Sequence, residues 1–175
     1  MRAAILTIST SKAAGQGQDE SGPALTELAE TLGAEIAGTE VVPDVEERIE
    51  TALLHWVDEE GCDLVLTTGG TGLAPTDVTP EATRRVIERE APGLPEAMRA
   101  ASREHTPFWM LSRGVAGTRG RALIVNFPGS PGSIKETAAA ILPALGHAIG
   151  LLAGKRHAAP ATAGREGESE ARSED

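Results

Sequence analysis

An apolar run that stops at a cluster of glycines and resumes at once as a helix commits a chain to a strand–loop–helix unit. Residues 62–83 have this form, CDLVLTTGGTGLAPTDVTPEAT. Leu64, Val65 and Leu66 read as a buried strand. Gly69, Gly70 and Gly72 then leave no side chain between their N–H groups and an anion. Thr79-Pro80-Glu81 predicts a helix start, with Thr79 as N-cap and Pro80 in the first turn, so the positive dipole end points at the loop. Asp77 waits just before that helix, where it would hold a metal ion carried by a nucleotide. The plainer alternative is that the glycines only build a tight turn. No Lys follows the last glycine and the G-x-G-x-x-G spacing is missing, so neither a P-loop nor a dinucleotide fingerprint is present.

The rest of the chain repeats the alternation. Residues 3–8, 36–42, 64–66 and 123–127 suit strands. Leu25, Leu28, Ala29 and Leu32 fall at helical spacing, opened by Ser21 with Pro23 and closed by Gly33. Val45, Ile49, Leu53, Trp56 and Val57 line one face of a second helix. Residues 79–89 predict a third, 94–105 a fourth, and the capping-box pattern Ser133-Ile-Lys-Glu136 opens a last long one, in which Pro143 should cause a kink or break. This order predicts a three-layer α/β/α fold, a doubly wound and mostly parallel sheet with helices on both faces. Ligands of such sheets bind outside the C-terminal strand ends. The loops at 9–22, 43–44, 67–79 and 128–133 all follow strands, so all belong to that edge.

Length and composition fit one domain over residues 1–157 of the 175. Residues 158–175, with dense charge and no apolar anchors, read as a disordered acidic tail. A net charge of −10 argues against a nucleic-acid or anionic-membrane binder. No apolar run approaches the ~18–20 residues of a membrane span, and the apolar patch at the N-terminus is too short for a signal segment, so a cytoplasmic protein is expected. The single cysteine, Cys62, reads as a small buried filler. His55, His105, His147 and His157 show no metal-ligand spacing and read as structural or surface residues.

The order TTGGTG, four residues, Asp77, then TPEAT closely resembles the MogA/MoaB family of molybdenum cofactor biosynthesis proteins, which includes the G domains of gephyrin. A second segment carries the likeness: Ser112-Arg-Gly-Val-Ala-Gly-Thr-Arg-Gly, then Ala122-Leu-Ile-Val-Asn-Phe, then Pro128-Gly-Ser-Pro-Gly-Ser-Ile-Lys-Glu. The resemblance runs from about residue 5 to about residue 154 and implies a molybdopterin adenylyltransferase. The terminal phosphate of molybdopterin would attack the α-phosphorus of ATP, with Mg²⁺ as cofactor and pyrophosphate as leaving group. It implies Asp44 and Asp77 as the catalytic, metal-holding aspartates. Gly69, Gly70, Thr71, Gly72, Pro128, Gly129 and Ser130 would contact the nucleotide. Ser9, Ser11, Lys12, Ser112 and Arg113 would receive the pterin and its phosphate. Asp44 also suits an N-cap before Val45, which does not exclude metal binding. Arg113 would supply fixed positive charge or be a solvated surface residue, and Pro128-Gly129 would equally serve as turn chemistry. Many relatives carry a carboxylate in the first loop, where this chain has Ser9-Thr10-Ser11-Lys12. The family further implies a homo-oligomer, a trimer or else a hexamer, and hand-over of product to a molybdenum-inserting MoeA-type protein. The alternative to an enzyme is a MoaB-like pterin- and nucleotide-binding paralogue that turns over poorly and serves as a carrier or scaffold.

Overall fold

The structure, a computed structural model, describes residues 1–154; the tail expected at 158–175 lies outside them. A six-stranded sheet runs through the middle. In chain order its strands are β1 (Arg2–Ile8), β2 (Glu35–Val42), β3 (Leu64–Thr68), β4 (Arg89–Glu90), β5 (Ala116–Arg119) and β6 (Ala122–Phe127). The helices are α1 (Thr10–Ala13), α2 (Ser21–Thr31), α3 (Glu46–Leu54), α4 (Thr79–Val86), α5 (Gly93–Ser102) and α6 (Pro131–Leu152). Strand order is β2-β1-β3-β6-β5-β4. The first four pair in parallel, and β5 and β4 are added antiparallel.

Alternation along the central strands divides the core in two. Ala3, Ile5, Leu64, Leu66, Leu123 and Val125 face the side covered by α2, α5 and α6. Ala4, Leu6, Ile8, Val65 and Ile124 face α3 and α4. Because β1, β3 and β6 are buried on both faces, they read as unbroken apolar runs. The chain leaves β1 toward β2 on one side and returns to β3 on the other. The crevice outside the ends of β1 and β3 is therefore the switch point of a doubly wound sheet.

The doubly wound architecture is as expected, and several local expectations need correction. Helix α4 ends at Val86 rather than residue 89, because Arg89–Glu90 pair with β5 as a short edge strand. Thr79 is the first helical residue and not its cap; Val78 precedes it without a side-chain capping bond. The last helix starts at Pro131, two residues before Ser133, and is capped by Ser130. Pro143 does not break it: the helix runs from Pro131 to Leu152, and Pro143 lies on its exposed side. The second helix passes at His55–Glu59 into a π-helical turn. There Trp56 lies across Gly38, where an added Cβ would stand 2.3 Å from its ring, and its indole N–H donates to Glu40 at 3.0 Å.

Candidate active site

Three strand ends build the crevice. After β3 the chain turns on Gly69 and Gly70, with φ of 98° and 61°. A Cβ at Gly69 would lie 2.2 Å from the Ile8 carbonyl oxygen, and one at Gly70 would lie 2.4 Å from the Thr79 hydroxyl. Only glycine fits both the backbone angle and the space. The loop is tied to the helix it feeds: Thr79 Oγ1 donates to the Gly69 carbonyl at 2.9 Å, and the Thr79 N–H to the Gly70 carbonyl at 3.1 Å. The threonine expected to cap α4 by its own N-terminus thus fastens the glycine turn instead. The loop after β6 closes in from the other side. A Cβ on Gly129 would stand 3.4 Å from Gly69 Cα, so the two nucleotide-loop candidates are neighbours.

A buried polar knot supports these loops. Asn126, 1% exposed and set within the apolar run of β6, donates to Thr67 Oγ1 and Thr83 Oγ1, each at 3.0 Å. Its Oδ1 accepts the Val115 N–H at 3.1 Å. Thr68 Oγ1 donates to the Pro128 carbonyl at 2.7 Å. Every side-chain group in this knot has a partner, as a buried polar network requires.

The two aspartates both lie against the glycine turn, Asp44 beside Gly70 and Asp77 beside Gly72. Asp44, after β2, does not cap α3, whose N-cap is Val45. Its Oδ2 accepts the Thr10 N–H at 2.7 Å and the Thr10 hydroxyl at 2.8 Å, and its own N–H donates to Thr10 Oγ1 at 3.0 Å. Its Oδ1 lies 3.3 Å from where a Gly70 Cβ would be. Asp77 folds back on its own loop: Oδ2 accepts the Ala74 N–H at 3.0 Å, and its N–H donates to the Ala74 carbonyl at 2.9 Å. The same Oδ2 lies 2.8 Å from a Cβ position on Gly72. The two carboxylates therefore flank the bare backbone from Gly70 to Gly72. Among the described residues, each leaves Oδ1 without a hydrogen bond, and carboxylate oxygens are the kind of donor a hard divalent cation takes when phosphate and water complete its shell. No group of three metal-ligating side chains occurs among the described residues, so protein alone would not satisfy such an ion.

The first loop is more enclosed than its sequence suggested. Ser9 caps the single turn α1. Lys12 turns toward Asp19, 3.4 Å away, and toward Ser21. A carboxylate stands further along the same loop, at Asp19. It accepts the Thr7 hydroxyl at 2.6 Å and the N–H groups of Ser21 and Gly22, both at 3.1 Å, so it satisfies the first N–H groups of α2 from the position before the N-cap, Glu20; Ser21 is the first helical residue. Burial would raise its pKa, but the bonds from Thr7, Gly22 and Ser21 and the charge of Lys12 together hold it below the ordinary carboxylate value. The signal was legible in the Asp19-x-Ser21-Gly22-Pro23 run, where an Asp precedes a helix with Pro in its first turn.

Ser112 keeps a hydroxyl with no hydrogen bond among the described residues. It borders a cavity of about 170 Å³ walled by Trp109, Pro128, Met98 and Ser133. Arg113, its neighbour, is bound inward to Gly72, Asp77 and Glu81. Thus Ser9, Ser11, Asp44, the glycine loop, Asp77, Ser112 and the loop 128–130 all gather at one sheet edge. Lys12 and Arg113 reach the same edge with their charges already partnered. Thr10, Asp19 and Asn126 also stand at this edge; the partners of Thr10 and Asn126 are distant in the chain and left no local signal, whereas Asp19 was marked by its position before α2.

An α/β domain with a glycine turn, a second glycine loop beside it and two carboxylates against the turn is built to cradle a phosphorylated ligand. Residues 4–147 match the family described as "Probable molybdopterin binding domain", and the chain belongs to that family. It is 45% identical over 152 residues to the molybdopterin adenylyltransferase of Escherichia coli, covering 85% of this chain and 77% of that protein. It is 43% identical over 153 residues to the molybdenum cofactor synthesis protein cinnamon of Drosophila melanogaster, which covers 83% of this chain. The chain spans only 25% of that longer protein. Among solved structures, the molybdopterin biosynthesis enzyme MoaB of Thermus thermophilus superimposes with a TM-score of 0.82 at 50% identity, covering 88% of this chain and 97% of its own.

Proposed function

We propose that this chain is a molybdopterin adenylyltransferase, transferring AMP from ATP to the terminal phosphate of molybdopterin and releasing pyrophosphate. The observation that carries the reading is the placement of the Asp44 carboxylate beside Gly70 and of the Asp77 carboxylate beside Gly72 in the same glycine turn. The relatives named molybdopterin adenylyltransferase support it. In the reaction a phosphate oxygen of molybdopterin forms a bond to the α-phosphorus as the bond to the pyrophosphate oxygen breaks. No side-chain nucleophile is needed, so the protein's part is to align two anions and meet the developing charge with fixed dipoles. The N–H groups of the glycine turn and the loop 128–130 would receive the triphosphate, and Ser9, Ser11 and Ser112 the pterin phosphate. Asp44 and Asp77 would hold Mg²⁺, which when bound neutralises phosphate charge.

A second reading is favoured by the likeness to a MoaB structure: a binding paralogue that keeps both pockets and turns over little. Incubation with molybdopterin, ATP and Mg²⁺, followed by detection of adenylylated pterin, decides between them. Product at turnover rates supports the enzyme, and binding of both ligands without product supports the carrier.

A further inference from the structure

We propose that Arg113 is a positioning residue that locks the Asp77 loop rather than a ligand of substrate phosphate, an inference that rests on the adenylyl-transfer reading. Its guanidinium reaches both ends of the segment from Gly72 to Asp77. Nε donates to the Gly72 carbonyl at 2.7 Å and Nη2 to the Asp77 carbonyl at 2.5 Å. Nη1 pairs with Glu81 in the first turn of α4. The Arg113 backbone N–H adds a bond to the Thr71 carbonyl at 2.8 Å. One residue therefore ties the start of the loop, its end and the following helix to the strand-ward segment after Ser112.

The chemistry suits arginine alone. Two carbonyls in different directions and a carboxylate need a planar fork with several donors; a lysine ammonium is a single point of charge on a flexible stem. Glu81 is committed to this arrangement. Its second oxygen, Oε2, is buried without a partner, and burial acting alone would raise its pKa. The Arg113 hydrogen bond and charge overcome that and hold the carboxyl below its ordinary value. Three of the five guanidinium N–H groups are taken by the loop and helix, so swinging Arg113 away onto a substrate phosphate would release those contacts. The geometry instead sets the Asp77 carboxylate in place before any ligand arrives, which is how preorganised charge lowers a barrier.

The test compares Arg113→Lys and Arg113→Ala in the full chain. The first readout needs no metal or nucleotide: hydrogen–deuterium exchange of the peptide covering residues 73–78. Exchange there should rise by about tenfold or more in both variants, with strand and α6 peptides unchanged, since each lost charged hydrogen bond opens the loop. The second readout is adenylyl transfer across a Mg²⁺ titration. Both variants should show lower kcat and a higher Mg²⁺ half-saturation, with KM for molybdopterin within about twofold of wild type. Unchanged exchange at 73–78 overturns the proposal. So does a Lys variant that restores the rate while the Ala variant raises the molybdopterin KM, because charge alone would then suffice. Faster exchange across the whole chain also overturns it, leaving a general support of the fold. If the wild-type protein forms no adenylylated product, the functional reading fails on its own, and the exchange result still decides the clamp.

Discussion

At the scale of single residues, the site depends on which oxygen of each carboxylate is already engaged. Asp44 and Asp77 each give Oδ2 to the protein, and Oδ1 has no hydrogen bond among the described residues. Asp77→Asn keeps size and an acceptor for the Ala74 N–H, so the loop should hold its shape while its charge is lost. Single-turnover formation of adenylylated molybdopterin at saturating ATP should fall by roughly 10²–10³. Asp44→Asn should behave alike, and the double variant should be little slower than either single one. Near-wild-type rates in Asp77→Asn would remove the metal assignment. Asp19 allows a separate test. Its carboxyl has a lowered folded-state pKa, so its stabilising contribution is complete above the unfolded value and fades as pH falls through the folded one. Asp19→Ala should lose about 1–2 kcal/mol near neutral pH. That difference should persist down to about pH 4 and shrink below it, as followed by denaturant unfolding at each pH.

At the scale of elements, Asn126 is the joint between β6, β3 and α4. Asn126→Ala would strand Thr67, Thr83 and the Val115 N–H inside the protein. It should cost roughly 1–3 kcal/mol for each buried group left unpaired. A melting temperature unchanged in Asn126→Ala would show that the loops stand without it. The elements also divide by what the sequence could reveal. β1, β3 and β6 announce themselves because burial on both faces demands continuous apolar residues, and Asp77 and the glycines follow as their loop ends, while Asp44 follows the half-exposed β2. β5 was missed because Ala116–Arg119 includes a glycine and two polar residues. β4 was missed because its two residues continue a helical pattern. Pro143 misled because a proline on the exposed side of a long helix is tolerated when the opposite face packs along Ile141, Leu145 and Ile149. Thr10, Asp19 and the Arg113–Glu81 pair have no local periodicity. Only the folded chain brings Thr10 to Asp44 or Arg113 to Gly72.

At the scale of the whole molecule, among the described residues both core clusters are built within residues 3–149, and the sequence after residue 158 has no apolar anchors. A chain ending at Ala158 should therefore melt and bind ATP as the full chain does, and a fall of several degrees on calorimetry would show that the tail contributes. Light scattering at micromolar concentration should give a trimer, with a hexamer as the other family-implied assembly; a monomer would reject both. The placement of β6 has a further consequence, in time rather than in space. It pairs in parallel with β3, and the bond from Asn126 to Thr67 closes a span of 59 residues. Parallel pairing over such a distance requires loop-closure entropy to be spent before the contact forms. During synthesis, Thr67–Gly72 leaves the ribosome long before Phe127 and Gly129, which complete its other wall. The emerging chain therefore carries a glycine turn with one flank missing, and the crevice around it closes late, together with the last third of the protein.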